Sequence, residues 1–268
     1  MKKRLLALAF AVVMAAGAFA GCSSSDKKTD EKPADETTTD GAESTGEKYI
    51  IATDTVFPPF EFTDANGNFV GIDVDIINAI AEDQGFEVDV QSLGFDAALL
   101  AVQTGQADGV IAGMSITDKR KETFDFSDPY YTADVTMAVA KGSDVKTLDD
   151  LKGKTVAVKT ATNGADYAKS IADQYGFSIV EFKDSPTMYQ DVIAGNTAAC
   201  FEDYPVMAYN IQQGAGLEIP EGMTAAGSDY GFAVAKGQNA ELLEKFNAGL
   251  ANIIENGKFQ EIVDTYTK

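Results

Sequence analysis

The sequence predicts an α/β protein made of two successive units joined by two strands. Strand and helix patterns alternate from about residue 48 onward, which is typical of mostly parallel sheets covered by helices. The alternation begins again near residue 148. Two look-alike segments, MAVAKG at 137–142 and FAVAKG at 232–237, lie between the units and after the second unit. We expect these two segments to cross between the units as a hinge; the alternative is a chance likeness between common strand patterns.

The first unit alternates strands with helices that end at glycine. Apolar residues spaced three to four apart predict its first helix, which Gly85 ends. Ser115 and Thr117 can cap a further helix at the end of an apolar run. The predicted strands are 49–53, 88–90 and 109–114, and the predicted helices are 74–81, 97–104 and one that begins after Thr117.

The second unit repeats this pattern, again with helices that glycine ends. Its predicted strands are 156–159, 179–182 and 198–201, preceded by a helical turn at 148–151, and its predicted helices are 163–175, 187–194 and 205–212. Two amphipathic helices follow at 240–255 and 259–266, with a continuous apolar stripe along the first. We expect both of these helices to pack back on the first unit.

The N-terminus carries a targeting segment. A basic start is followed by an apolar run that ends at Ala20, which predicts a signal peptide at 1–21. Small residues directly before Cys22 resemble a lipoprotein cleavage box and imply lipidation of Cys22; the alternative is ordinary secretion with an incidental cysteine. After Cys22, residues up to 47 lack large apolar side chains, so we expect 22–47 to be a lipidated, disordered tether.

The composition excludes several classes of function. The net charge of −21 argues against a nucleic-acid partner, since no basic patch could dominate such a field. The chain has no histidine, the commonest general base and metal ligand, which argues against an enzyme. Besides Cys22 the only cysteine is Cys200, which lies in a small apolar strand and is expected to be a buried structural thiol. We expect no cofactor and no metal.

The stretch from 113 to 131 indicates a site for a small acid. Ser115 and Arg120 follow an apolar strand, where a hydroxyl, helix N–H groups and a guanidinium can surround a carboxylate. An arginine binds a carboxylate through two parallel hydrogen bonds, which gives orientation as well as affinity. The alternative is a surface arginine on a capped helix.

Several stretches together resemble the family 3 solute-binding proteins, the polar amino-acid receptors of ABC importers. They are ATDTVFPPFEF (52–62), GIDVD (71–75), GMSITDKRKETFDFSDPYY (113–131) and VAVK (156–159). The resemblance runs from about residue 48 to the C-terminus and is nearest to the glutamine-binding members. It implies a two-lobe periplasmic-binding-protein-like fold of type II, with the lobes joined by two hinge strands. We expect lobe 1 at 48–134 plus 232–268 and lobe 2 at 135–231.

The resemblance also implies how a zwitterion is held. Arg120 would bind the ligand's carboxylate, with Gly113, Met114 and Ser115 alongside it. Asp203, at the end of a strand, would hold the α-ammonium; the alternative for an Asp before a helix is an N-cap.

Aromatic and charged residues in the same motifs would surround the ligand's side chain. Phe57 and Phe95 map onto positions that sandwich it, although composition alone makes either one a core residue. Asp54 would accept from an amide NH₂ group and Lys159 would donate to its carbonyl oxygen. This pair favours glutamine, because a cationic side chain would meet Lys159 and glutamate would meet Asp54.

Two departures from the family's pattern bear on this specificity. The turn after Lys159 lacks the usual glycines, so contacts from Thr162 and Asn163 are carried over by position only. Glu202 stands where glutamine-binding members carry His, so an additional carboxylate could admit a basic amino acid or could face solvent. A basic amino acid or glutamate therefore remains an alternative ligand.

These observations predict a lipid-anchored, monomeric receptor outside the cytoplasm, on the outer face of the membrane or in a periplasm. Its expected partners are a polar amino acid and an ABC permease, with the membrane reached only through the lipid. The chain has no G-x-x-x-x-G-K-[ST] motif, so the energy for transport would come from another protein. The alternative classes are a sensory module and a dehydratase-like enzyme of the same fold.

Overall fold

A computed structural model describes residues 46–268. The predicted signal peptide at 1–21, Cys22 and the tether up to residue 45 lie outside these described residues. The strands are β1 (Lys48–Thr53), β2 (Phe62–Thr63), β3 (Phe69–Val70), β4 (Glu87–Ser92), β5 (Gly109–Val110), β6 (Phe124–Phe126), β7 (Tyr131–Ala140), β8 (Thr155–Lys159), β9 (Ser178–Phe182), β10 (Ala199–Asp203), β11 (Leu217–Glu218), β12 (Thr224–Tyr230) and β13 (Ala233–Ala235). The helices are α1 (Ile72–Gln84), α2 (Phe95–Gln103), α3 (Asp118–Lys121), α4 (Asn163–Tyr175), α5 (Ser185–Ile193), α6 (Tyr204–Gln212), α7 (Ala240–Glu255) and α8 (Lys258–Thr267), with a 3-10 turn at Leu148–Leu151.

The first sheet has the strand order β4-β1-β5-β13-β6. Its first three strands are parallel, because α1 and α2 return the chain to the same edge, while β13 runs antiparallel to β5 and β6. The predicted strand 109–114 pairs only at Gly109 and Val110. The following residues therefore leave the sheet, which brings Gly113 and Ser115 to its edge.

The second sheet has the order β11-β7-β10-β8-β9, and β12 also pairs with β7. Parallel pairing of β8 with β9 and β10 matches the predicted strand–helix alternation. The long strand β7 runs antiparallel to β10, β11 and β12. The predicted strand 198–201 extends to Asp203 in the structure. Both predicted acidic residues, Glu202 and Asp203, therefore lie inside a strand and not in a loop after it.

The expectation that segments 137–142 and 232–237 cross between the units is wrong. Residues 137–140 lie within β7 in the second sheet, whereas 233–235 form β13 in the first. The chain crosses instead between β6 and β7 and between β12 and β13. The two crossings lie side by side, since Tyr130 N donates to Tyr230 O at 3.0 Å and Ser127 N to Phe232 O at 2.8 Å.

The C-terminal helices pack where the sequence places them. Both α7 and α8 contact α1 on the first sheet's side of the molecule. Phe246 of α7 stacks on Phe232, which lies in the return crossing, with ring centroids 4.5 Å apart and planes at 9°. These contacts join the last helices to the core under the first sheet, which the apolar stripe of α7 predicted.

Cys200 is fully buried in β10, as predicted, and burial raises the pKa of its thiol well above the usual range.

Among residues 46–268, no helix combines the length and the apolar character needed to cross a membrane.

Candidate functional site

A small cavity of about 10 Å³ lies where the two α/β units face each other. The first unit lines it with side chains from the turn after β1, from the start of α2 and from the segment between β5 and α3, and the second unit with the ends of β8 and β10 and the start of α4. The lining residues are Phe57, Phe95, Ala112, Gly113, Ser115, Arg120, Lys159, Thr162, Asn163 and Asp203. Nine of these ten were expected from the sequence, and Ala112 was not.

Arg120 contacts both units. Its Nη1 donates to the carbonyl of Ser115 at 2.6 Å, and its Nη2 donates to the carbonyl of Ala161 at 2.9 Å across the cleft. Its guanidinium carbon lies 5.3 Å from the centre of the Phe95 ring. Burial lowers the pKa of Arg120, but an arginine remains charged at neutral pH. Arg120 therefore contributes a fixed cation to the cavity from the first unit.

The local fold explains how Arg120 is aimed. Thr117 caps α3, because its hydroxyl accepts from the backbone N–H of Arg120 at 3.2 Å. Helix α3 is only four residues long, so it offers little of the N-terminal field that the sequence indicated. Positive charge on this side of the cavity comes from the guanidinium, not from a helix dipole.

Gly113 requires its lack of a side chain. Its φ is 53°, a left-handed conformation, and a Cβ there would lie 2.7 Å from the Phe57 ring. Its backbone N–H donates to Asp73 at 2.6 Å and so points away from the cavity. Met114, the next residue, is fully buried in the core beside Phe95 and does not line the cavity.

Lys159 and Asp54 form an ion pair from opposite units. The Lys159 ammonium donates to Asp54 Oδ2, and the two side chains are 2% and 1% exposed. The ammonium also lies 4.5 Å from the centre of the Phe57 ring and 5.7 Å from that of Phe95. Cation–π attraction therefore adds to the ion pair where water is excluded. Lys159 lines the cavity, and Asp54 contacts Lys159 from behind it.

Asp203 supplies a buried carboxylate from the second unit's side of the cavity. Although it precedes α6, its side chain makes no capping hydrogen bond. Its Oδ2 accepts a hydrogen bond from the Tyr230 hydroxyl instead. Burial and the neighbouring charge of Glu202 raise the pKa of Asp203 to about 7, opposed by Tyr230 and Arg120. A cation that entered the cavity would restore the ionised form.

Glu202 faces away from the cavity. Its Oε2 accepts from Ser185 Oγ at 2.6 Å and from the Tyr189 hydroxyl at 3.0 Å, both on α5. Alternation along a strand explains this, because Glu202 and Asp203 are consecutive in β10 and point to opposite faces. The additional carboxylate is therefore satisfied inside the second unit.

The turn after β8 uses side-chain and backbone groups in place of glycines. Thr162 caps α4: its hydroxyl accepts from Ala165 N at 3.2 Å and donates to Lys159 O at 2.8 Å. Ala161 adopts φ 65°, a left-handed conformation that is costly for a residue with a Cβ. In this conformation the carbonyl of Ala161 accepts the hydrogen bond from Arg120 Nη2. Asn163 lines the cavity at the first position of α4.

Sequence reasoning missed three side chains behind the cavity. Tyr230 donates to Asp203, while Asp73 accepts from Gly113 and is buried beside Glu61. The available signal was a carboxylate inside an apolar run, PPFEF for Glu61 and GIDVD for Asp73. Such a residue is rarely buried without a partner, which marks it for attention.

Comparison with known proteins agrees with this arrangement. The family model described as "Bacterial extracellular solute-binding proteins, family 3" matches residues 49–268. The arginine-binding extracellular protein ArtP of Bacillus subtilis is 33% identical over 225 residues, which cover 83% of this chain and 87% of ArtP.

Two solved structures extend the comparison. An ancestral arginine-binding protein bound to arginine is 38% identical with a TM-score of 0.77, covering 82% of this chain and 98% of that one. Substrate-binding domain 2 of GlnP from Lactococcus lactis, in an open conformation, is 44% identical with a TM-score of 0.59, covering 85% and 98%. The fold is thus the type II two-lobe fold, and these relatives are binding proteins, not enzymes. The chain belongs to the family 3 bacterial extracellular solute-binding proteins, whose members bind amino acids and deliver them to ABC transporters.

Proposed function

We propose that this amino-acid-binding protein is a lipid-anchored receptor for glutamine that supplies an ABC permease. The observation that carries the proposal is a cavity between the lobes lined by Arg120 from one unit, by Asp203 from the other, and by the Lys159–Asp54 pair against two phenylalanine rings. The cavity of about 10 Å³ is closed off by these side chains, so an amino acid enters when the lobes part and the contacts across the cleft are exchanged for contacts with the ligand.

Arg120 and Asp203 match the two charges that an amino acid carries at its α-carbon. Arg120 can bind the α-carboxylate in a bidentate manner, exchanging its present bonds to the Ser115 and Ala161 carbonyls. Asp203 can hold the α-ammonium, and the hydroxyl of Tyr230 keeps its carboxylate in place. A molecule that lacks either charge would leave Arg120 or Asp203 without a partner in a closed site, which costs affinity.

The Lys159–Asp54 pair supports a neutral side chain. A side-chain amide both accepts and donates, so it can bind Lys159 and Asp54 without adding charge to a pair that is already neutral. A second buried cation or anion would face its like charge within the same small space. Glu202 faces away from the cavity and accepts hydrogen bonds from Ser185 and Tyr189 of α5, so it does not offset the charge of a basic ligand.

A basic amino acid is the second candidate ligand. The observation that favours it is the likeness to ArtP of Bacillus subtilis and to an ancestral protein, both described as arginine-binding. Arginine would fit if its guanidinium displaced Lys159 from Asp54. Glutamine would therefore bind to Lys159 where it stands, whereas arginine would require Lys159 to move away from Asp54.

The lobes and the anchor complete the proposal. Following the sheets, we place the lobe boundary at the crossings on either side of β7 and β12, so that lobe 1 contains 48–126 and 233–268 and lobe 2 contains 131–230. Lys159 and Ala161 of lobe 2 reach Asp54 and Arg120 of lobe 1, so a ligand held by both lobes favours the closed arrangement. Lipid on Cys22 and the tether that follows it would hold a monomer near its permease.

Calorimetric titration of the purified chain, freed of ligand by unfolding and refolding, tests the proposal. Glutamine, glutamate, asparagine, arginine, lysine, histidine and cystine are compared. We expect one-to-one binding of glutamine, weakened roughly 100-fold or more by Arg120→Ala, because Asp203 and the ligand carboxylate would lose their shared cation.

The matched control is Lys121→Ala, which removes the adjacent, exposed cation that pairs with Asp118 on α3. It should leave glutamine affinity unchanged. Preference for arginine or lysine would overturn the choice of glutamine, and heat from none of the seven amino acids would overturn the amino-acid site itself.

A further inference from the structure

Two fully buried carboxyl groups lie directly behind the cavity. Glu61 follows the turn that carries Phe57, and Asp73 is the second residue of α1; both are 0% exposed. Within the described part of the chain, three of their carboxyl oxygens have no hydrogen-bond donor, namely both oxygens of Glu61 and Oδ1 of Asp73. Two buried carboxylates that face each other without a cation between them would be strongly disfavoured.

One proton resolves this arrangement. If Glu61 is neutral, its O–H group donates to Asp73, and two of the three unpartnered oxygens gain a partner. Burial, the charge of Asp73 and the charge of Asp54 hold the pKa of Glu61 well above its usual range, and Lys159 is the cation that opposes them. Burial raises the pKa of Asp73 to about 7, opposed by the hydrogen bonds from Gly113 N–H and the Tyr130 hydroxyl.

Asp73 transmits this arrangement to the ligand site. Its Oδ2 accepts from the backbone N–H of Gly113 at 2.6 Å and from the Tyr130 hydroxyl at 2.9 Å. Gly113 lines the cavity beside Phe57. The ring of Tyr130 lies 6.3 Å from that of Tyr230, whose hydroxyl donates to Asp203. Asp73 thus holds Gly113 directly, and through the Tyr130 hydroxyl it anchors a ring that lies near Tyr230.

We propose that Glu61 and Asp73 share one proton, and that this hydrogen-bonded pair positions the Gly113–Ser115 segment for the ligand's carboxylate. Glu61 and Asp73 are positioning residues, since neither lines the cavity. The inference rests on the proposed function only for the ligand; the shared proton itself is a property of the free protein.

The pair has a defined pH response. As the pH rises through the raised pKa of Glu61, the shared proton leaves, and two adjacent carboxylates repel each other. We expect Asp73 to shift away from Glu61 and to loosen its bond to Gly113, so that ligand affinity falls on the alkaline side. Asp54, Lys159 and Tyr130 are the other titratable groups that face the pair.

Three substitutions separate positioning from simple packing. Asp73→Asn keeps the shape but weakens the acceptor of Gly113 N–H, and should lower glutamine affinity roughly 10- to 100-fold, as for loss of a buried charged hydrogen bond. Glu61→Ala removes the shared proton and should lower affinity in the same direction. Glu61→Gln should rescue it, because an amide NH₂ can donate to Asp73 at every pH.

The test combines glutamine titration with carboxyl NMR of the ligand-free protein. In ¹³C spectra, Glu61, assigned by its absence from Glu61→Gln, should show a protonated carboxyl group at pH 7. The affinity of the wild type divided by that of Glu61→Gln should fall as the pH rises. The ligand's own titration affects both proteins equally, so it cancels in this ratio. Asp75→Asn is the control, because Asp75 lies in the same helical turn but bonds to Tyr266, away from the cavity.

Each outcome has a distinct meaning. An ionised Glu61 at pH 7 would overturn the shared proton, whether or not glutamine binds. A protonated Glu61 with equal affinities of wild type and Glu61→Gln across the pH range would overturn the positioning role. Absence of glutamine binding in the wild type is a failure of the proposed function; the pH comparison is then made with whichever amino acid gives heat.

Discussion

At the scale of single residues, Lys159 has the surroundings that constrain the ligand most. Its ammonium is 2% exposed, pairs with Asp54 and lies over the rings of Phe57 and Phe95. A buried lysine needs a hydrogen-bond acceptor, so Lys159 can release its bond to Asp54 only if the ligand supplies an oxygen in its place. Its environment therefore favours a ligand whose side chain carries an accepting oxygen.

Exchange of this lysine should reverse the specificity. In Lys159→Gln the carboxylate of Asp54 loses its cation, so it can accept the side chain of a basic amino acid. We expect arginine affinity to rise and glutamine affinity to fall by roughly tenfold or more, measured by calorimetry. Lys169→Gln removes an exposed lysine that pairs with Glu181 and should change neither affinity. Unaltered preference in Lys159→Gln would show that Lys159 does not contact the ligand's side chain.

Asp203 should couple binding to proton release. Burial raises its pKa to about 7 in the free protein, whereas a bound α-ammonium favours the ionised carboxylate. Below pH 7 the ligand therefore displaces a proton, and affinity should fall by up to about tenfold per pH unit. Calorimetry at pH 6 in two buffers with different ionisation heats measures the released proton. Equal heats in the two buffers would contradict the role of Asp203.

At the scale of elements, strand ends and short turns place the site. Lys159 ends β8 and Asp203 ends β10, and both strands are parallel, so their carboxyl ends meet at one edge of the second sheet. The first sheet contributes a matching edge after β1 and β5. Ligands of open α/β sheets bind at such edges, which is why residues far apart in the chain converge there.

Helix α7 secures the return of the chain to lobe 1. Phe246→Ala should lower the free energy of unfolding by about 3–5 kcal/mol, because it removes a buried ring stacked on Phe232. Urea denaturation measures the loss. Ile254→Ala on the same helix, at a side chain 51% exposed, should cost less than about 0.5 kcal/mol. Similar costs for both variants would mean that α7 does not pack on Phe232 in solution.

At the scale of the whole molecule, the arrangement of the lobes resembles a closed state. The TM-score is 0.77 against a ligand-bound structure at 38% identity, but 0.59 against an open one at 44% identity. A different angle between two lobes of similar structure lowers the TM-score, whereas sequence identity does not depend on that angle. Contacts across the cleft include the Lys159–Asp54 pair and an exposed Lys183–Asp96 ion pair at 2.6 Å. The exposed pair is expected to add little, since solvent screens it.

The buried pair should bias closure. Spin labels at Leu100→Cys on α2 and Val180→Cys on β9, both exposed positions, report the distance between lobes. A Cys22→Ser background avoids a third label, and Cys200 is buried. We expect glutamine to shorten and narrow the distance distribution, and Asp54→Asn to shift the free protein toward longer distances. Glu82→Gln, on the exposed side of α1, is the control; no shift in Asp54→Asn would contradict the bias.

The sequence by itself determined the α/β alternation, most helix ends and the family. Periodic apolar residues and helix-ending glycines act locally, so 163–175 and 240–255 were predicted with the bounds seen for α4 and α7. The motifs also indicated nine of the ten cavity residues. Strong local patterns such as these need no knowledge of what packs against them.

Only the tertiary structure decided what each charged side chain faces. Asp54 and Lys159 are 105 residues apart, and the sequence could assign each a ligand contact but not their contact with each other. Glu202 faces away from the cavity because β10 continues through it. The chain crosses between the units beside Tyr130 and Tyr230, not at segments 137–142 and 232–237. The physical reason is the same in each case. The partner of a buried charge is set by which distant segments the fold brings together, and local pattern carries no information about that.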